Sequence, residues 1–146
     1  CPLNDGAAAI IIASQEKIKE LGLTPKAKLE AFSQGNVKPE YMGLGPIPAI
    51  RNLLKKTNKK LSEIDVFEIN EAQAQQALFC IKALNIKEDR VNINGGAIAI
   101  GHPPGMTGTR LILTTLYSLT ANNFKYGICS QCAGGGTGMA TLLKRF

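Results

Sequence analysis

The sequence predicts an α/β fold, a mixed sheet packed with helices, and three observations carry that prediction. Short apolar runs with strand-like alternation take turns along the chain with longer runs at helical spacing. Turn-forming residues such as Gly22, Asn70 and Asn122-Asn123 punctuate the junctions. The last two strand-like runs are separated only by Gly134–Gly138, so they form an antiparallel hairpin.

In chain order, Cys1-Pro2-Leu3-Asn4-Asp5-Gly6 leads straight into the apolar run Ala7–Ala13, which reads as a buried strand or helix. No initiator Met precedes it, and the chain reads as part of a longer one. Gln15–Leu21 is a short helix that Gly22 ends. Ala27–Gln34 alternates, Ala27, Leu29, Ala31 and Ser33 against Lys28, Glu30, Phe32 and Gln34, and is a strand. Met42–Pro48 is a loop whose prolines open a helix of about ten residues through Leu53 and Leu54, because a proline near a helix start gives up no intrahelical bond. Leu61–Ile64 is a connector, Asp65–Ile69 a strand that Asn70 ends, and Glu71–Leu84 a helix. Val91–Asn94 is a short strand, Gly95–Gly108 a glycine-rich loop and Thr109–Leu119 a buried helix. Tyr126–Ala133 and Met139–Leu143 are the closing strands.

The chain has 146 residues, 45% hydrophobic and 19% charged, which describes one globular domain rather than a disordered segment. No uncharged apolar run reaches the roughly 18 residues of a membrane span. The run Ala7–Ala13, flanked by Asp5 and Glu16, lacks the basic flank of a secretory signal. Net charge is +6, and five of the ten residues from Arg51 to Lys60 are basic. Without interleaved aromatics or a known module this reads as a solvated helix end, and nucleic acid is not an expected partner. The expected compartment is cytoplasmic, with mitochondrial or peroxisomal locations left open, and the four cysteines are expected to be reduced.

Ten of the fifteen glycines lie from Gly95 onward, nine of them in the clusters Gly95–Gly108 and Gly134–Gly138. Neither has the Gly-Lys-Ser/Thr of a P-loop, and Gly101–Gly108 is misspaced for a dinucleotide fingerprint. The single histidine, His102, stands between Gly101 and the rigid pair Pro103-Pro104, which presents an imidazole as a general base or oxyanion donor requires. Cys129-Ser130-Gln131-Cys132 has redox or zinc spacing, but residues three apart on a strand point to opposite faces, so no metal site is expected. Cys132 then stands alone near a strand end. Asn70, His102 and Cys132 all lie where strands end or glycine loops begin, which is where α/β sheets gather ligands. A thiol, an imidazole and an amide together suit acyl chemistry.

Five ordered motifs sharpen this. Asn92-Ile93-Asn94-Gly95-Gly96-Ala97-Ile98-Ala99-Ile100-Gly101-His102-Pro103 and Cys132-Ala133-Gly134-Gly135-Gly136-Thr137-Gly138-Met139-Ala140 resemble the two signatures of the thiolase family. Asn4–Ala8, Met42–Ala49 and Glu68-Ile69-Asn70-Glu71-Ala72 resemble further thiolase segments in the family's order, and the resemblance covers essentially the whole chain. It is to the C-terminal half of thiolases of the acetyl-CoA acetyltransferase type.

The resemblance implies one half of a layered αβαβα architecture, in a homodimer or homotetramer, working with an N-terminal half that holds the nucleophilic cysteine. It implies acyl transfer between coenzyme A thioesters, by Claisen condensation or thiolysis, with acetyl-CoA and acyl-CoA as substrates and neither cofactor nor metal. Cys132 matches the second thiol, which handles the α-proton. His102 matches the histidine that activates the nucleophile, Asn70 the asparagine that holds a water in the same oxyanion hole, and the Gly134 N–H a donor of the second hole. Met42 matches a methionine near the acyl pocket. Gln73 stands where the family usually has a phenylalanine lining the pantetheine tunnel, and Pro104, Met106 and Thr107 also depart from the usual pattern after His-Pro. Gln73 supports a rival reading, a catalytically lapsed scaffold or lipid carrier, while the other departures bear on tunnel shape and acyl-chain preference. Joint retention of Asn70, His102 and Cys132 argues against it.

Overall fold

A computed structural model describes all 146 residues, Cys1–Phe146. Its elements run α1 (Gln15–Glu20), β1 (Ala27–Asn36), α2 (Pro46–Thr57), β2 (Val66–Ile69), α3 (Ala74–Leu84), α4 (Ala97–Ile100), α5 (Thr107–Ala121), β3 (Tyr126–Ala133) and β4 (Thr137–Arg145), with single 3-10 turns at Pro39–Leu44, Leu61–Glu63 and Glu88–Arg90. The strands form one mixed sheet in the order β1-β4-β3-β2. β1/β4 and β3/β4 are antiparallel, and β2/β3 is parallel. The α/β class and the closing hairpin are as the sequence predicts.

Period-two alternation divides the core between the two faces of the sheet. Phe67, Ile69, Ile128, Ala140 and Leu142 pack with Ile50 and Leu53 of α2 and Cys80, Ile81 and Leu84 of α3. On the opposite face Val66 and Leu143 meet Leu119 of α5. The sheet is therefore a middle layer between α2 with α3 and α5. Pro46 is the first residue of α2, and both α2 and α3 end on an asparagine in the left-handed region, Asn58 and Asn85, which frees the last carbonyls to be bonded. One close approach demands glycine: a Cβ on Gly138 of β4 would fall on the Gly45 carbonyl just before α2.

Several expectations need correction. Ala7–Ala13 is neither strand nor helix, and Ile11 and Ile12 are 95% and 74% exposed. The run pairs with none of the four strands, although β1 and β2 are the edges of the sheet. Met42–Pro48 is not a continuous loop, since a 3-10 turn runs through Leu44 and α2 begins at Pro46. The helix expected from Glu71 starts at Ala74, because Glu71 bonds elsewhere. Only Val91 of the expected strand Val91–Asn94 makes a bridge, to Phe67. Asn92 turns into the left-handed region at φ 49°. Its side-chain amide then completes the edge of β2, accepting from Ile69 N at 2.8 Å and donating to Ile69 O at 2.9 Å. The glycine-rich loop contains α4 and runs into α5 two residues earlier than expected, at Thr107.

Candidate active site

The parallel pair β2/β3 ends where the chain's reactive side chains lie. Asn70 leaves β2 with its N–H bonded to Ser130 O at 2.9 Å, two residues before Cys132 on β3. Cys132 is half-buried, on the sheet face that carries Ile128 and packs against α3. Burial pushes its thiol above the ordinary range, and it raises in turn the already buried thiol of Cys80. Cys129, three residues earlier, faces the other way, toward α5. It is buried beside Glu68, Thr115 and Thr141, and burial, with Glu68 adding, pushes it up to about 12. The two cysteines thus lie on opposite faces, as strand alternation requires.

His102 lies on the loop from α4 to α5. Its backbone N–H donates to Pro2 O at 2.8 Å, and the terminal amine of Cys1 donates to Ala72 O at 3.0 Å. The first two residues thereby join the His102 loop to the segment that follows Asn70. Glu71 is a second tie: Oε2 accepts from Ile98 N of α4 at 3.0 Å, and Oε1 from Asn92 Nδ2 at 3.0 Å. The imidazole Nδ1 lies 2.7 Å from Thr107 Oγ1 in the first turn of α5. That turn also meets β3: a Cβ on Gly108 would lie 3.4 Å from Gln131 Nε2.

Asn70, His102 and Cys132 therefore share one end of the sheet, although no direct hydrogen bond joins any two of them. Asn70 is 2% exposed and its Oδ1 has no protein partner. Gly134 opens the exposed turn after β3, and its N–H donates to no backbone carbonyl. Met42 and Gln73 sit on adjoining segments, because Gly43 packs against Gln76 of α3. Gln73, the N-cap residue of α3, is exposed, with Oε1 accepting from Gln75 Nε2 at 2.7 Å. Beside His102, Asn4–Ala8 and Pro103–Met106 line an open cleft of about 350 Å³. No group of three or more His, Cys, Asp or Glu side chains is arranged to hold a metal ion.

Sequence reasoning missed Glu71, Asn92 and Thr107 as working residues. Glu71 and Asn92 lay inside quoted motifs, but their partners are at sequence separations of 21 to 27, which local pattern does not reveal.

The α/β half-sheet thus presents a thiol, an imidazole and a buried amide at the carboxyl end of its parallel strands. The model of the thiolase C-terminal domain matches residues 23–145, and the chain belongs to the thiolase family. It is 44% identical over 145 residues to the beta-ketoadipyl-CoA thiolase of Pseudomonas aeruginosa, covering 98% of this chain and 36% of that protein. It is 47% identical over 137 residues to the 3-ketoacyl-CoA thiolase of Bacillus subtilis, covering 94% and 35%. Among solved structures, the Bacillus anthracis acetyl-CoA acetyltransferase superposes with a TM-score of 0.89 at 41% identity, over 91% of this chain and 34% of that one. Human mitochondrial 3-ketoacyl-CoA thiolase in complex with CoA superposes at 0.90 and 37% identity, over 92% and 34%. The chain thus spans about a third of the length of the relatives it matches.

Proposed function

We propose that this chain supplies the second catalytic thiol and the oxyanion donors of a thiolase acting on coenzyme A thioesters. A nucleophilic cysteine comes from outside these 146 residues. The observation that carries the reading is the gathering of Asn70, His102 and Cys132 at one end of β2 and β3. The relatives named above, thiolases and an acetyl-CoA acetyltransferase, support it. The exposed apolar side chains Ile11, Ile12, Phe79, Ile98 and Ile100 give an N-terminal half a surface to cover, and the complete enzyme is a homodimer or homotetramer.

The chemistry follows from the groups. The external thiolate attacks the 3-keto carbonyl of the acyl-CoA and forms a C–S bond. The Cα–Cβ bond breaks, and its electron pair passes to the departing acetyl-CoA enolate. Burial keeps the Cys132 proton on sulfur at neutral pH, so this thiol can donate it to the enolate carbon. In condensation the same sulfur, as thiolate, takes the α-proton back. His102 accepts the nucleophile's proton and, with a water held by Asn70, polarises the thioester oxygen. The Gly134 N–H is aimed at the second oxyanion. One such donor is worth about 2.7–4 kcal/mol of transition-state stabilisation. Met42 and Gln73 border the acyl and pantetheine path.

The test compares two serine variants of the complete enzyme. Cys132→Ser lowers condensation on the order of 100-fold or more, because a hydroxyl cannot exchange this proton at neutral pH. Acylation of the external cysteine by acetyl-CoA survives far better. Cys129→Ser costs only packing. Equal loss of activity in the two variants would overturn the assignment of Cys132.

A further inference from the structure

The contacts of Thr107 decide which nitrogen of His102 does the work. Thr107 is completely buried at the start of α5. Its hydroxyl oxygen makes two short contacts, one to His102 Nδ1 at 2.7 Å and one to the Pro103 carbonyl, four residues back, at 2.9 Å. A hydroxyl has one proton to give and lone pairs to accept with. If the O–H points at Pro103 O, the oxygen accepts from an Nδ1–H, and both contacts are hydrogen bonds. If the O–H points at an Nδ1 lone pair, a hydroxyl oxygen faces a carbonyl oxygen 2.9 Å away with no proton between them, in a site closed to solvent. The first arrangement is the favourable one. The β-branched side chain reinforces it, since threonine in a helix settles where Oγ1 can bond the carbonyl four residues back.

We propose that Thr107 is a positioning residue that holds His102 as the Nδ1–H tautomer and leaves Nε2 as the nitrogen that gains and loses a proton. The inference rests on the acyl-transfer reading above for what Nε2 serves, but not for the tautomer itself. The arrangement suits both charge states. A neutral imidazole keeps Nδ1–H, and an imidazolium keeps it too, so a proton arrives at and leaves Nε2 without the Thr107 hydroxyl rotating away from Pro103 O, which also accepts from Met106 N and Thr107 N at 3.0 Å each. The base is oriented by a third group, here a hydroxyl in place of a carboxylate. The hydroxyl carries no charge, so His102 avoids the permanent ion pair that a carboxylate partner would impose.

The experiment combines nitrogen-15 histidine spectra of the complete enzyme with single-turnover acylation by acetyl-CoA. The His102 signals are identified by their loss in His102→Gln. The expected wild-type spectrum at alkaline pH shows a protonated Nδ1 and an unprotonated Nε2. Thr107→Val, which keeps the shape but not the hydroxyl, gives mixed tautomers and slows acylation on the order of 10- to 100-fold, with little change in KM. Thr107→Ser restores both signatures. A wild-type spectrum with the proton on Nε2 overturns the proposal, and it decides the matter even where the valine variant does not fold. A folded valine variant with unchanged tautomer and acylation rate overturns it as well. If the enzyme turns over no acyl-CoA while the spectra behave as expected, the acyl-transfer reading falls and the tautomer assignment stands.

Discussion

Replacing Glu68 by glutamine should abolish a pH dependence of stability whose size the structure fixes. Glu68 is on β2, fully buried, and neither carboxylate oxygen has a protein partner. Burial raises it from the ordinary 4.5 to about 7, against the opposing pull of the Arg110 guanidinium and with Glu71 adding to the rise. Arg110 is itself buried, with Nε and Nη2 unpartnered, so the two charges attract without a direct bond. Cys129 also faces Glu68 and stays a neutral thiol at these pH values. The sign follows from proton linkage. Below about 4.5 the carboxyl is protonated in both folded and unfolded chains, and its contribution to stability is fully present. As pH rises toward 7 the unfolded chain releases the proton while the folded chain holds it, and stability falls. Above about 7 the loss is complete, at about 3 kcal/mol for a difference of this size. Urea unfolding of wild type and Glu68→Gln, measured in steps from pH 4.5 to 8, reads the effect. The difference between the two curves cancels the carboxylates remote from Glu68 and leaves Glu68 with its effect on neighbouring Glu71. That difference should shift in favour of the glutamine variant by about 3 kcal/mol across the window. A difference independent of pH would refute the reasoning and mean that Glu68 binds its proton equally in the folded and unfolded chains.

Two further substitutions, each with a control, test the framework. Asn92→Ala removes both side-chain bonds to the backbone of Ile69 and puts alanine at a positive φ, so the midpoint of urea unfolding should fall by the equivalent of about 2–4 kcal/mol. Asn92→Gly, which relieves only the backbone, should recover a minor part. Gly138→Ala drives a methyl into the Gly45 carbonyl and should cost at least about 1–3 kcal/mol in thermal unfolding. Gly105→Ala, whose Cβ meets nothing within 4 Å, should stay within about 0.5 kcal/mol of wild type.

Local pattern was enough wherever the determinant was local. Strand alternation separated Cys129 from Cys132 before any coordinates, and the structure places one toward α5 and the other toward α3. Proline and glycine marked the loop that carries His102, because restricted and permissive φ values leave their trace in the sequence itself. The sheet order β1-β4-β3-β2 left no such trace, since β1 and β4 pair from opposite ends of the chain. Ala7–Ala13 misled for a related reason: an apolar run reports that a side chain prefers burial, not which surface buries it. The site divides in the same way. Asn70, His102 and Cys132 could be singled out as candidates because thiol, imidazole and amide chemistry narrows the choice of residue type. Glu71, Asn92 and Thr107 could not, because carboxylate, amide and hydroxyl side chains are common on any surface. Glu71 becomes specific only when folding places Ile98 N within 3.0 Å of its carboxylate, and Asn92 only when Ile69 lies alongside. Thr107 is the sharpest case. Its partner His102 is only five residues away, yet in the sequence Thr107 stands in a glycine-rich loop as a departure from the usual pattern, with nothing to mark its role. Its meaning comes from counting a single hydroxyl proton between two acceptor positions, a count that requires both distances at once.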